Sequence, residues 1–294
     1  MEENSVKKPQ MGRWLKLLIK LAVTIVCIWY VSSKIDFTKA WTAIKTTNLF
    51  YLFLALLAFI FSKILSALRL NIYFKNIMLH LSEWQNIKLY WLGMFYNLFL
   101  PGSIGGDAYK VLLLKKKYNV SYKKTTTAVL LDRFSGLLGL GLILAVYSVI
   151  VIDKTLYVVG IGCGAVLAVL ILYFVVSRWL KDYVSSFFPT LLLGILVQVS
   201  QVICAYFIMA SLGVPVHVTE YIFIFLVSSI LSVLPLTIGG LGIREVVFLE
   251  GSKQFGLMQE TSVAISLLFY LITLITSAGG LFYIFNPPLA EKKN

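Results

Sequence analysis

Charge is scarce in this 294-residue chain. Asp, Glu, Lys and Arg make up 13% of it, about half the share of an ordinary soluble domain. Acidic residues are the scarcer kind, 13 against 26 Lys and Arg, for a formal net charge of +13. In a soluble protein that excess would point to nucleic acid. Here 59% of residues are hydrophobic and the mean hydropathy is +0.88, more apolar surface than a globule of this size can hide. Soluble enzymes and nucleic-acid binders are excluded on that ground, and no nucleic-acid partner is expected. Cysteine is rare too. Cys27, Cys163 and Cys204 all lie within apolar runs without metal-ligand spacing, and read as small buried hydrophobes. The two histidines, His80 and His217, stand far apart near segment ends. Gly-x-Ser-x-Gly, Walker, zinc and dinucleotide motifs are missing. No catalytic residue, cofactor or metal is therefore expected.

Long hydrophobic runs are what the chain has in abundance. They fall at about 15–33, 49–67, 84–114, 125–151, 155–177, 187–211, 219–250 and 261–285. Most are long enough for a helix to cross the roughly 30 Å hydrocarbon core at about 1.5 Å per residue. The first run follows Lys7, Lys8, Arg13, Lys16 and Lys20 and has no small-residue cleavage site. It reads as a retained span, with Trp29 and Tyr30 as an interfacial belt.

Two runs differ from the rest. Leu100-Pro101-Gly102-Ser103-Ile104-Gly105-Gly106 and Leu234-Pro235-Leu236-Thr237-Ile238-Gly239-Gly240 share the pattern L-P-x-x-I-G-G. They lie 134 residues apart, and each is followed by a cation nine residues after its proline, Lys110 and Arg244. This recurrence predicts an internal duplication. From Lys88 to Leu100 is about a dozen residues, or roughly 18 Å of helix, which reaches only mid-bilayer. A half-helix, a Pro-Gly break and a returning half-helix make a re-entrant hairpin, tolerated at that depth only where protein or water covers the break.

The expected fold is an all-α polytopic membrane helix bundle. It has about six full spans and two re-entrant hairpins, in one membrane domain over 1–294. The halves are 1–151, with a hairpin at about 84–114, and 152–294, with a hairpin at about 219–250. Both termini are expected inside. On this topology eighteen Lys and Arg fall on the inner side and five outside, with Lys63, Arg133 and Arg244 left within runs, as the positive-inside rule requires. Each half contains three crossings, so the second is inverted relative to the first, the arrangement of transporters with broken helices.

Each Gly-Gly pair opens a half-helix whose free N–H groups and positive dipole end suit an anion. The candidate binding residues are Pro101, Gly105, Gly106, Asp107 and Lys110 around the first break. Pro235, Gly239, Gly240, Gly242, Arg244 and Glu245 surround the second. Asp132 and Arg133 sit about 10–12 Å into their run, a depth at which an ion is expensive and marks a functional site by default. Adjacent helix residues do not face each other, so Arg133 is expected to pair with another segment, for instance with Asp107. The alternatives are that the glycines serve helix packing, that Arg133 pairs only structurally, and that Asp107 caps its half-helix or carries a proton. Arg69, ending the second run, reads as a snorkelling anchor.

The stretches L-P-G-S-I-G-G-D-A-Y-K at 100–110, L-L-D-R-F-S-G-L-L at 130–138 and L-P-L-T-I-G-G-L-G-I-R-E at 234–245 resemble, in order and spacing, the lysylphosphatidylglycerol synthase transmembrane family. This is the flippase-like membrane region of multiple-peptide-resistance factors and of many stand-alone proteins, and the resemblance runs over about 12–286. It implies a multi-pass protein of the inner (cytoplasmic) membrane that binds or moves a lipid. The family often has Arg where this chain has Lys110, and Glu where it has Asp132. The full-length synthases carry a soluble aminoacyl-transferase domain, which does not follow the membrane region here, so the expected protein is not an enzyme. Its expected partner is a membrane phospholipid or a polyprenyl-linked lipid. A homodimer, or a partner lipid- or glycan-modifying enzyme, fits the same resemblance. Two other readings stay open: an ion-coupled secondary transporter of a small anion, with Asp107 or Glu245 protonated, and an accessory subunit that presents lipid to an enzyme.

Overall fold

A computed structural model describes residues 37–99, 105–233 and 240–289, with Leu18, Leu21, Ala22, Ile25, Val26, Trp29, Tyr30 and Ser33 of the first run, which are helical. Pro101, Pro235, Gly239 and Cys27 lie outside the described residues. The regular structure among the described residues is helical throughout. Among the described residues five stretches are long and apolar enough to cross a membrane: Leu49–Lys75, Tyr122–Val151, Thr155–Trp179, Lys181–Ser211 and Gln259–Phe285. The chain is a polytopic membrane helix bundle, as its composition demands.

The helices, in order, are α1 (Phe37–Lys45), α2 (Leu49–Lys75), α3 (Glu83–Phe99), α4 (Gly105–Tyr118), α5 (Tyr122–Val151), α6 (Thr155–Trp179), α7 (Phe187–Ser211), α8 (Val218–Val233), α9 (Ile243–Gln254), α10 (Gln259–Ala278) and α11 (Phe282–Phe285). α2, α5 and α7 form the centre, with α8 and α10 packed around them. Their shared core includes Phe59, Leu140, Cys204, Ile208, Phe225 and Phe269. Small residues bring α5 and α7 to backbone contact. A Cβ on Gly139 would stand 2.5 Å from the carbonyl carbon of Gly194, and one on Gly194 2.5 Å from the Ser135 oxygen. Between helices surrounded by lipid, close backbone packing replaces the hydrophobic drive that water would supply.

Both Pro-Gly-Gly segments join helices that fold back on each other. Across the first, the Gly106 N–H donates to Asn97 Oδ1 at 2.9 Å, the Tyr96 and Tyr109 rings are 4.6 Å apart, and a Cβ on Gly106 would meet the Gly93 oxygen at 1.9 Å. Partners rise in number on one helix as they fall on the other, so α3 and α4 are an antiparallel hairpin. α8 and α9 form the second: Arg244 lies over Phe225, Gly251 faces Ile224, and Phe223 meets Phe255 edge-on.

Three features depart from the sequence expectations. α3 begins at Glu83, five residues before Lys88, because Ser82 and Gln85 form a reciprocal capping box (Ser82 N–H to Gln85 Oε1, 3.0 Å; Gln85 N–H to Ser82 Oγ, 3.2 Å). α3 is therefore roughly 25 Å long, more than a half-span. α1 is a helix where a plain joint was expected, and it docks on α10. Cys163 is exposed on α6 and not buried, because α6 fully buries only Val176 and leaves the rest of its surface half-buried or exposed.

Candidate functional site

α2 does not end where its hydropathy falls. It continues to Lys75, which places Arg69 inside the helix. Arg69 is 4% exposed and does not snorkel; its Nε donates to Asp132 Oδ1 at 2.7 Å. Its Nη1 is buried without a hydrogen bond and lies in the slot between α5 and α7 left by Gly136 and Gly194. Asp132 thus finds its partner on α2 rather than in its neighbour Arg133.

Arg133, the next residue on α5, points the other way and reaches α4. Its Nε donates to Asp107 Oδ2 at 2.5 Å, while Lys110 Nζ holds Asp107 Oδ1 at 2.7 Å. Asp107 is the third residue of α4 and its carboxylate is shared by these two cations. Lys110 is buried, with Nζ 5.0 Å from the centre of the Tyr90 ring. The Arg133 side chain, one-third exposed, is the open edge of this triad.

The second hairpin is built differently. α9 starts after Gly240 and Gly242, whose φ values of 81° and 90° suit glycine. Glu245 is spent on the local fold: Oε2 accepts the Gly242 N–H at 2.6 Å and Oε1 accepts the Ser266 hydroxyl of α10 at 2.8 Å. Arg244 has no ion pair or side-chain hydrogen bond among the described residues. Its guanidinium lies 4.6 Å from the Phe269 ring centre and 5.7 Å from that of Phe225, and Nη1 is buried and unpartnered. Lys63 of α2, which sequence reasoning left merely within a run, completes this end. Its Nζ is 4.4 Å from the Phe59 ring centre, and Phe59 meets Phe269 edge-on at 5.5 Å. Phe59, Phe225, Phe269 and buried Cys204 belong to one core cluster, so Lys63 and Arg244 lie against the same core.

These groups form one polar seam. Tyr90 lies near Lys110, Arg69 and Asp132, and Lys63 in turn feels Arg69, Asp132 and Arg244. The seam holds five cations, Lys63, Arg69, Lys110, Arg133 and Arg244, against three carboxylates, Asp107, Asp132 and Glu245. At its first-hairpin end each of the three cations touches one of two carboxylates; at its second-hairpin end neither Lys63 nor Arg244 touches one among the described residues. Removing an ion from water costs several kcal/mol even after relaxation. A desolvated cation–π contact offsets only about 2 kcal/mol of that, and arginine cannot shed its proton in a protein. An anion supplied from outside the chain would complete the balance.

The bundle also has an apolar cavity of about 480 Å³. It is lined by Phe134, Leu137 and Leu138 of α5, by residues of α6 from Ala168 to Val175, and by Ile230 of α8. Of the sequence-derived candidates, the structure brings together Asp107, Lys110 and Arg133, and separately Gly242 and Glu245. It gives Asp132 to Arg69 and leaves Arg244 with Lys63. Gly105 and Gly106 open α4. Arg69 was visible as a charge, but its inward direction depends on where α2 ends. Lys63 carried no signal beyond its position in an apolar run.

The model of the lysylphosphatidylglycerol synthase TM region matches residues 17–280. The UPF0104 membrane protein PH1989 of Pyrococcus horikoshii is 21% identical over 334 aligned positions, which cover 95% of this chain and 98% of that protein. With the match extending through both hairpins and into the last long apolar stretch, the chain belongs to the lysylphosphatidylglycerol synthase TM region family.

Proposed function

We propose that this protein binds a lipid with an anionic headgroup and passes that headgroup between leaflets of the cytoplasmic membrane. The observation that carries the reading is the surplus of cations on a seam inside a membrane bundle. The seam runs from one broken hairpin to the other. A headgroup moves along it from charge to charge while its acyl chains stay in the apolar phase. The cavity between α5, α6 and α8 favours a lipid over a small soluble anion, because it offers hydrocarbon walls and no charge. In this reading the two hairpins belong to inverted halves that open the seam alternately to either side. The residues gathered on the seam supply charge and hydrogen bonds, and the proposal contains no bond-making step.

The test is reconstitution of the purified full-length chain into liposomes carrying trace fluorescent phosphatidylglycerol, phosphatidylcholine or polyprenyl phosphate, with outer-leaflet fluorescence quenched by dithionite. The expected result is faster leaflet exchange of an anionic lipid than in protein-free vesicles, with phosphatidylcholine exchanging more slowly. Equal rates with and without protein for all three lipids would overturn the reading.

A further inference from the structure

The two ends of the seam are not equivalent, and the difference locates the headgroup. At the first-hairpin end, Asp107 is bridged by Lys110 and Arg133, and Asp132 is held by Arg69. These contacts tie α4 and α2 to α5, so an incoming anion would have to break an ion pair that is already made. At the second-hairpin end Lys63 and Arg244 have aromatic neighbours and no carboxylate partner among the described residues. Arg244 also presents a sealed, unpartnered Nη1. Glu245, the nearest acid in sequence, is engaged by the Gly242 N–H and the Ser266 hydroxyl. The two cations come from helices in opposite halves of the chain, α2 and α9, and are joined by the ring contact between Phe59 and Phe269.

We infer that Lys63 and Arg244 form the phosphate seat of this protein, with Phe59, Phe225 and Phe269 as its walls, and that the Asp107–Lys110–Arg133 triad is a latch rather than a ligand site. The inference rests on the lipid reading given above and makes it specific. A guanidinium offers a planar fork of donors and an ammonium a compact charge, and each makes charge-assisted hydrogen bonds to phosphate oxygens. The seat discriminates by charge. A phosphodiester with a neutral headgroup, as in phosphatidylglycerol, adds only negative charge. A zwitterionic headgroup brings an ammonium beside two cations, with Glu245 already held by the Gly242 N–H and the Ser266 hydroxyl.

The experiment titrates purified full-length protein in detergent with dioctanoyl phosphatidylglycerol, dioctanoyl phosphatidylcholine and inorganic phosphate, using calorimetry for affinity and thermal unfolding for the ligand-free state. Wild-type protein is expected to bind the phosphatidylglycerol at least tenfold more tightly than the other two. Lys63→Met and Arg244→Met are each expected to weaken that binding at least tenfold. Their ligand-free midpoints should equal or exceed wild type, because each removes a partly buried charge that touches no carboxylate among the described residues. Lys63→Arg is expected to stay within about threefold of wild type. Unchanged affinity in Lys63→Met would overturn the seat while leaving the lipid reading intact. So would a loss accompanied by a lowered ligand-free midpoint and not rescued by Lys63→Arg, since that is a structural role. If inorganic phosphate binds as well as phosphatidylglycerol with the same dependence on Lys63 and Arg244, the seat stands and the lipid reading falls. No preference for phosphatidylglycerol over phosphatidylcholine would overturn both.

Discussion

Asp107 and Arg244 are both charges inside a membrane bundle, yet their surroundings give them opposite consequences for stability. Asp107 accepts from two cations on two helices. Replacing it with Asn leaves Lys110 and Arg133 buried or half-buried without their counter-charge. Breaking a buried pair in this way costs about 3–5 kcal/mol, so Asp107→Asn should lower the unfolding midpoint in detergent clearly. Arg133→Met should cost less, because Asp107 keeps Lys110 and the Arg133 side chain is one-third exposed. A midpoint for Asp107→Asn equal to wild type would show that the triad does not tie α4 to α5. The pairing of Asp107 with Arg133 was legible in the sequence, since a helix turns adjacent residues in different directions and a carboxylate stood beside the first Gly-Gly. The partnership of Arg69 with Asp132 was not. It depends on α2 continuing past the end of its apolar run, which hydropathy does not record.

The hairpins make the same distinction between local pattern and tertiary contact at the level of whole elements. The repeated L-P-x-x-I-G-G announced a break and a return, and α3–α4 and α8–α9 do turn back there. What the motif did not announce is why the first hairpin closes so tightly. Gly106 packs against Gly93, a residue outside the motif, and a Cβ at Gly106 would sit 1.9 Å from the Gly93 oxygen. Gly106→Val must therefore part the two helices. Overpacking of a filled site typically costs about 1–3 kcal/mol, and a backbone oxygen cannot move aside as a side chain can. The expected outcome is a lower unfolding midpoint, together with faster hydrogen exchange in α3 and α4 than in α8 and α9. Gly141→Val is the control, because a Cβ there meets nothing within 4 Å and should leave both readouts at wild type. The start of α3 carries a further lesson. The apolar run starts at about 84 and the helix at Glu83; the half-span counted from Lys88 is short because Ser82 and Gln85 cap the helix ahead of that lysine, and a cap fixes a helix end more directly than a charge does.

Across the molecule, the proposed alternation between leaflets requires the two halves to be inverted, and under that proposal the charge distribution bears on which side the first hairpin faces. Lys115, Lys116, Lys117, Lys123 and Lys124 crowd the end of α4 and the start of α5, whereas the end of α9 carries Lys253, paired with Glu250 at 2.7 Å. The positive-inside rule retains the first cluster in the cytoplasm; it says little about the second, where an acid accompanies the base. Inversion then puts the far end of α9 outside. Single cysteines at Lys116 and Gln254, in a background lacking Cys27, Cys163 and Cys204, test this with a membrane-impermeant maleimide. In right-side-out cells Gln254→Cys should label and Lys116→Cys should not; in inverted vesicles the pattern should reverse. Labelling of both from one side would make the hairpins parallel, and a single seam could not then be opened from each leaflet by equivalent motions of the two halves. The seat at Lys63 and Arg244 would survive that result as a binding site, since its geometry depends on contacts among α2, α8, α9 and α10 and not on which leaflet each hairpin enters. Orientation and binding are thus separable, and transport requires both.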